Sequence, residues 1–373
     1  MATPPTRTTP APPVLHALLA GGGTGGHIFP ALAVAEELGK RGWQVSFAGN
    51  ETGPEARLVP ERGIPFHTLP AKPMVGRGLM GRVQSLTTLA ASGRAAAKLI
   101  RALKVDVVLG TGGYVSAPAV VGARLAGRPI LLLEPNARAG MANRWLSGWA
   151  SAAAIGYPET AHDLKCPAWV TGVPVRARFF ETPAELPPRS SANPPRLLVL
   201  GGSQGAKQIN EAMPEAAKRL IERIPDVRIL HQAGARNLEE ARAAYAQIGL
   251  GEPQVEVTPF LDDVAGAMAA SHLLVSRAGA ITLAEICAAG RPSLLLPLSI
   301  AQGHQVDNAR LLADAGAAEM LTSDDLGRLV DRLAELLASP ATLQRMGHAA
   351  RSLARPHAVA EIADRLEYLG GVH

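Results

Sequence analysis

The chain has 373 residues, 47% of them hydrophobic and 18% charged, with a formal net charge of +5. That length exceeds one ordinary core and points to two domains, and no uninterrupted apolar run approaches the roughly 18 residues of a membrane-spanning helix. Residues 1–13, rich in Pro and Thr, lack the basic start and apolar core of a secretory signal and read as a disordered tail; Cys166 and Cys287, without metal-ligand spacing, fit a reducing cytoplasm.

The first strand is expected near Leu15 to Ala20. It runs into Gly21-Gly22-Gly23-Thr24-Gly25-Gly26-His27 and then into a helical pattern from Ala31. Strand, glycine turn and helix form an anion-cradling unit, because backbone N–H groups can approach closely and the helix start adds positive potential. Glycines there also serve plain strand-helix packing, and His27 alone is as compatible with a capping role as with catalysis. A second strand is read at Gln44 to Ala48. Between Glu61 and Asp106 there is no acidic residue, whereas Lys72, Arg77, Arg82, Arg94, Lys98, Arg101 and Lys104 fall there among Met74, Val75, Leu79, Met80 and Val83. Such a segment is either a solvated face or an anionic-membrane surface. Aromatics at 4% argue against nucleic acid.

Strands at Asp106 to Gly110 and Pro129 to Glu134 place Gly112-Gly113-Tyr114 and Glu134-Pro135-Asn136 at the same sheet edge as His27, an arrangement suited to acid-base work with hydroxyl selectivity. Residues 182–195 have the proline density of a linker. The alternation restarts at Leu197 to Leu200, which leads into Gly201-Gly202-Ser203-Gln204-Gly205-Ala206, and continues through strands near Val227, Val255, Leu273 and Ser293. Short apolar strands between Ala-rich helices predict two doubly wound parallel sheets, each α/β, facing a cleft. Within Ser276 to Glu285 a helix begins, and Glu285 is placed either to accept bonds from ribose hydroxyls or to complete a Thr282–Glu285 capping box. The polar loop Pro297 to Asn308 holds His304 and Gln305, which either read hydroxyls or decorate a solvated loop capped by Asp307 or Asn308.

In family order, His27 in its glycine stretch, Gly112-Gly113-Tyr114, Gly172-Val173-Pro174-Val175-Arg176, the second glycine loop, Ser276 to Glu285 and His304-Gln305 resemble the MurG family of peptidoglycan glycosyltransferases from about Val14 to the last helices. The resemblance implies a GT-B architecture: an acceptor- and membrane-facing domain over 14–181, a linker over 182–195, a donor domain over 196–354, and a last helix, about 355–373, that packs back on the first domain. It implies an inverting transfer of N-acetylglucosamine from UDP-GlcNAc to the 4-hydroxyl of lipid-linked N-acetylmuramyl pentapeptide, converting lipid I to lipid II at the cytoplasmic face of the membrane. Arg176, Ser203, Gln204, Phe260, Leu261, Ala280, Thr282, Glu285, His304 and Gln305 would hold the donor. Thr24, Gly25, Gly26, Tyr114 and Asn136 would line the acceptor side, with His27 as base and Glu134 as its rival. No cofactor is obligatory on this reading and no residue is assigned to a metal, although a divalent cation such as Mg could stimulate; cell-wall synthesis proteins are possible partners.

The chain departs from the family pattern in three places. Leu133-Glu134-Pro135-Asn136 stands where His-Glu-Gln-Asn is expected, His304 stands where some relatives have Gln, and the basic segment lacks large aromatics. A UDP-GlcNAc 2-epimerase and a non-catalytic sugar-nucleotide binder are the alternatives. A nicotinamide oxidoreductase fits worse: Gly21, Gly23 and Gly26 satisfy G-x-G-x-x-G, but the acid after the second strand is poorly placed for a ribose.

Overall fold

A computed structural model describes residues 14–72, 79–202, 205–298 and 304–371, with the side chains of 79–83 left out. The first half runs β1 (His16–Ala20), α1 (Gly25–Lys40), β2 (Gln44–Gly49), α2 (Glu55–Leu58), β3 (Phe66–Thr68), α3 (Leu79–Ala102), β4 (Val107–Gly110), α4 (Gly113–Ala126), β5 (Ile130–Glu134), α5 (Met141–Leu146), β6 (Ala152–Ile155) and β7 (Ala168–Val170). The second half runs β8 (Arg196–Leu200), α6 (Lys207–Arg223), β9 (Arg228–Gln232), α7 (Leu238–Gln247), β10 (Val255–Thr258), α8 (Val264–Ala269), β11 (Leu273–Ser276), α9 (Ala280–Ala289), β12 (Ser293–Leu295), α10 (His304–Asp314), β13 (Ala318–Met320), α11 (Leu329–Ala338), α12 (Pro340–Ser352) and α13 (Ala358–Gly370).

The strands form a seven-stranded sheet in the order β3-β2-β1-β4-β5-β6-β7 and a six-stranded sheet in the order β10-β9-β8-β11-β12-β13, with parallel pairing throughout. Every residue of β1, β4 and β5 is buried, as strands covered on both faces require. In each sheet the order reverses beside one strand, β1 in the first and β8 in the second. Both glycine loops therefore emerge at topological switch points, where the connections to either side leave on opposite faces of the sheet and open a crevice. The short strands β3, β6, β7 and β13 carry little periodicity of their own. β6, Ala-Ala-Ala-Ile, is strand because it pairs with Leu131 to Glu134 of β5.

The chain crosses between the halves at two places that touch. Gly172, in the left-handed region at φ +85°, lies where an added Cβ would come within 2.5 Å of the Arg355 Cβ, so the outgoing and returning segments meet only through glycine. Beyond Arg355, α13 buries Ile362, Ala363 and Leu366 with Leu19, Leu38, Phe47 and Val107 in the first domain. Each full burial of an Ile or Leu contributes about 1.5–3 kcal/mol. Arg41, the C-cap residue of α1, adds ion pairs to Asp364 at 2.6 Å and Glu367 at 3.0 Å. The Pro-rich stretch 182–195 lies against the second domain: Leu186 N–H donates to Gln344 Oε1 at 3.1 Å, and the Pro187 carbonyl meets His272 Nε2 at 3.0 Å.

Candidate active site

On the first sheet, α1 starts directly after the opening glycine loop. Thr24 is its N-cap residue, but its hydroxyl meets His27 Nδ1 at 3.2 Å and caps no backbone N–H. The His27 ring lies against Gly112 and Gly113, both at positive φ, where added Cβ atoms would stand 3.4 and 3.3 Å from ring atoms. Burial pulls the His27 pKa below its ordinary value, with Glu134 opposing. The imidazole is accordingly neutral near neutral pH and able to take a proton.

Beneath the loop sits a residue that the sequence pattern did not single out. Glu55 is fully buried and accepts from Gly23 N–H at 3.0 Å and Asn50 N–H at 3.1 Å. An added Cβ at Gly22 would lie 2.2 Å from its carboxylate, which is why the turn needs glycine. The Gly23 amide is thus already held by an anion. Thr24 is exposed and Gly25 and Gly26 are half-buried at the start of α1, where helix geometry leaves N–H groups without intrahelical partners.

Glu134 is only 3% exposed. One of its oxygens accepts from the backbone and side-chain amides of Asn136 at 3.1 and 2.9 Å, the other from Gly140 N–H at 2.8 Å and Asn143 Nδ2 at 3.0 Å. A carboxylate so engaged holds the loop after β5 in shape, an arrangement that favours His27 over Glu134 as proton acceptor. A cavity of about 610 Å³ is lined by His27, Tyr114, Glu134, Asn136 and Trp145, and also by His304 from the second domain.

Across the cleft, Gln232 braces the second glycine loop, accepting from Gly202 N–H at 3.0 Å and donating to its carbonyl at 2.9 Å. Ser203 and Gln204 lie outside the described residues, as do 299–303 and, in the basic segment, 73–78 with Arg77. α6 begins at Lys207 with no side-chain cap, so its N–H groups remain suited to an anion. α9 begins at Ala280 with Gly279 as N-cap and no side-chain cap bond, which overturns the capping box: Thr282 lies inside the first turn and Glu285 in the second. Glu285 instead pairs with Arg176 at 3.3 Å. Burial raises the Glu285 pKa, and Arg176 opposes the shift.

Arg176 itself stacks over Phe179 and over Phe29 of the first domain, with its guanidinium 5.1 and 5.9 Å from the ring centroids. Phe260, 59% exposed, stands open while Leu261 packs into the second core. Gln305 Oε1 accepts from Leu298 N–H at 3.0 Å. Because α10 starts at His304, Asp307 and Asn308 are helical residues and not caps. Asn308 is fully buried and bonds across to the first domain. Among the described residues no group of three or more His, Cys, Asp or Glu is placed to hold a metal ion.

Two doubly wound parallel sheets, each with a glycine loop at its switch point, and a cavity lined by His27 of one half and His304 of the other have the GT-B architecture of glycosyltransferases. The glycosyltransferase family 28 N-terminal domain matches residues 17–155, and the family 28 C-terminal domain matches residues 196–366. The chain is 44% identical over 350 residues to the UDP-N-acetylglucosamine–N-acetylmuramyl-(pentapeptide) pyrophosphoryl-undecaprenol N-acetylglucosamine transferase of Halorhodospira halophila, covering 92% of this chain and 96% of that one. It is 41% identical to the protein of the same name from Sorangium cellulosum, over 94% and 87% of the two chains. The crystal structure of Acinetobacter baumannii MurG superposes with a TM-score of 0.76 at 33% identity, covering 95% and 99%. A UDP-N-acetylglucosamine 2-epimerase structure superposes with a TM-score of 0.69 at 15% identity, a likeness of fold alone. The chain belongs to this family of N-acetylglucosamine transferases.

Proposed function

We propose that the protein transfers N-acetylglucosamine from UDP-GlcNAc to the 4-hydroxyl of the N-acetylmuramyl residue of lipid I, giving lipid II with inversion at the anomeric carbon. The observation that carries this reading is the cavity at the seam, where neutral His27 of one domain and His304 of the other line the same space. His27 takes the proton of the acceptor hydroxyl as its oxygen attacks the anomeric carbon. The bond to UDP breaks, and the electron pair leaves with the β-phosphate. The starts of α6 and α9 supply positive potential for the departing diphosphate, Glu285 accepts from the ribose, and Phe260 walls the base. A divalent cation such as Mg would stimulate by shielding the charge of the departing diphosphate, and no cluster of acidic, His or Cys side chains among the described residues is placed to hold it.

No helix of the described residues is long and apolar enough to cross a membrane. We place the protein on the anionic cytoplasmic surface through the rim of the acceptor cavity. Trp145 and Trp149 are 48% and 42% exposed there, with ring centroids 5.2 Å apart, beside exposed Met141. An adjoining cavity of about 480 Å³ is lined by Arg138, Arg144 and Lys165. The large aromatics missing from the basic segment are therefore supplied by α5 and the turn after it. Amphipathic rings beside cations suit a headgroup layer.

The test incubates the protein with radiolabelled UDP-GlcNAc and a lipid I analogue. Label in the lipid supports transfer. UDP-ManNAc formed without acceptor, or donor binding with neither product, refutes it.

A further inference from the structure

One fully buried amide joins the two half-sites. Asn308, in the second turn of α10, accepts from Ala137 N–H of the acceptor loop at 2.8 Å. Its Nδ2 donates to Asn136 Oδ1 at 3.1 Å and to the Ala278 carbonyl at 3.1 Å. Both of its N–H bonds and its carbonyl are engaged, so the amide orientation is fixed. On the first domain the chain of bonds continues from Asn136 Nδ2 to Glu134 at 2.9 Å and from Glu134 to Gly140 and Asn143. On the second domain Ala278 stands two residues before α9, the helix of Thr282 and Glu285. His304, four residues before Asn308, shares its helix face and lines the acceptor cavity. A further tether lies one residue away, where Arg138 Nε meets Asp307 Oδ2 at 3.3 Å.

We propose that Asn308 is a positioning residue for the transfer: without touching either substrate, it holds the acceptor loop 134–140 in register with α9 and α10, so that the attacking hydroxyl arrives in line with the anomeric carbon. Only an amide satisfies the three partners. An aspartate would set oxygen against Asn136 Oδ1 and the Ala278 carbonyl, and a leucine would leave a buried N–H and two buried oxygens unsatisfied. Two of the three bonds, to Ala137 and Asn136, cross the seam, so their loss loosens the relation between the domains, while the third, to the Ala278 carbonyl, ties α10 to the start of α9 within the second domain. A misplacement of about 1 Å in a near-attack geometry costs on the order of 100-fold in rate.

This inference rests on the functional reading above. A wild-type protein that transfers no sugar would refute that reading, whereas the comparisons below judge Asn308 against a working wild type. Asn308→Ala is expected to lower kcat by roughly 10- to 100-fold, with donor KM and UDP affinity by calorimetry within about twofold of wild type. Asn308→Ser, which keeps one polar group in the gap, is expected to fall between the two and serves if the alanine variant does not unfold cooperatively. In a background of Asn136→Ala, removing Asn308 should cost far less than in wild type, because the shared bond is already gone. A kcat within about twofold of wild type, UDP affinity falling in step with kcat, or costs of the two substitutions that simply add would each overturn the proposal.

Discussion

Replacing Glu134 with Gln separates a scaffold from a base. Its two carboxylate oxygens accept four hydrogen bonds, two from Asn136 and one each from Gly140 and Asn143, in a pocket almost closed to water. In Glu134→Gln one oxygen becomes an NH₂ group, so two of the four N–H donors face another donor. Each buried donor left unsatisfied costs about 1–3 kcal/mol, and some relief by side-chain rotation brings the expected loss to about 2–4 kcal/mol. Denaturant unfolding followed by tryptophan fluorescence reads this directly, since Trp145 and Trp149 lie on and just after the helix that the loop leads into. Turnover should fall as the loop loosens, yet with His27 as the proposed base the remaining activity should keep an acid limb, displaced to lower pH because the Glu134 charge that opposed the fall of the His27 pKa is gone. The scaffold reasoning is refuted if unfolding free energy stays within about 0.5 kcal/mol of wild type while residual turnover loses its dependence on pH.

Three further outcomes are expected. His27→Ala should lower kcat by about 100-fold or more with donor affinity kept, and wild-type turnover should decline as pH falls through the His27 pKa, which burial sets below 6.5; an acid limb that survives the substitution would assign the base elsewhere. Glu285 has a folded pKa raised above 4.5, so the native state binds more protons than the unfolded chain in that window. Stability from this group is full below about 4.5 and is lost as pH rises through the folded pKa, while UDP affinity, which needs the carboxylate, should rise over the same range. Glu285→Gln should flatten both trends, and calorimetry showing unchanged UDP affinity would remove the ribose role. Trp149→Ala should reduce sedimentation with phosphatidylglycerol vesicles several-fold, and an unchanged bound fraction would discard the aromatic rim as an attachment surface.

Much of this protein is legible without its tertiary structure because the relevant signals are local. Leu15 to Ala20 and Leu197 to Leu200 are apolar runs that stop at glycine, and each becomes the strand beside which its sheet reverses. His27, Tyr114, Glu134 and Asn136 follow strands of one sheet, so parallel pairing alone brings them to one edge. The capping box failed because spacing cannot say where a helix starts: α9 begins at Ala280, and Glu285 turned instead to Arg176 from a segment far away in the chain. β6 was illegible because three alanines carry no strand signal apart from their pairing with β5.

The sequence by itself determined two doubly wound halves and the residues that each sheet edge would present, since strand periodicity, glycine turns and helix starts are properties of neighbouring residues. Tertiary structure alone decided how those residues divide the work. Burial put Glu55 under the first glycine loop, tied up both oxygens of Glu134, held His27 neutral and set Asn308 across the seam. Proton affinity and hydrogen-bond satisfaction depend on what surrounds a group in space: the partners of Glu134 come from its own loop and α5, whereas those of Asn308 and Glu285 come from segments more than a hundred residues apart.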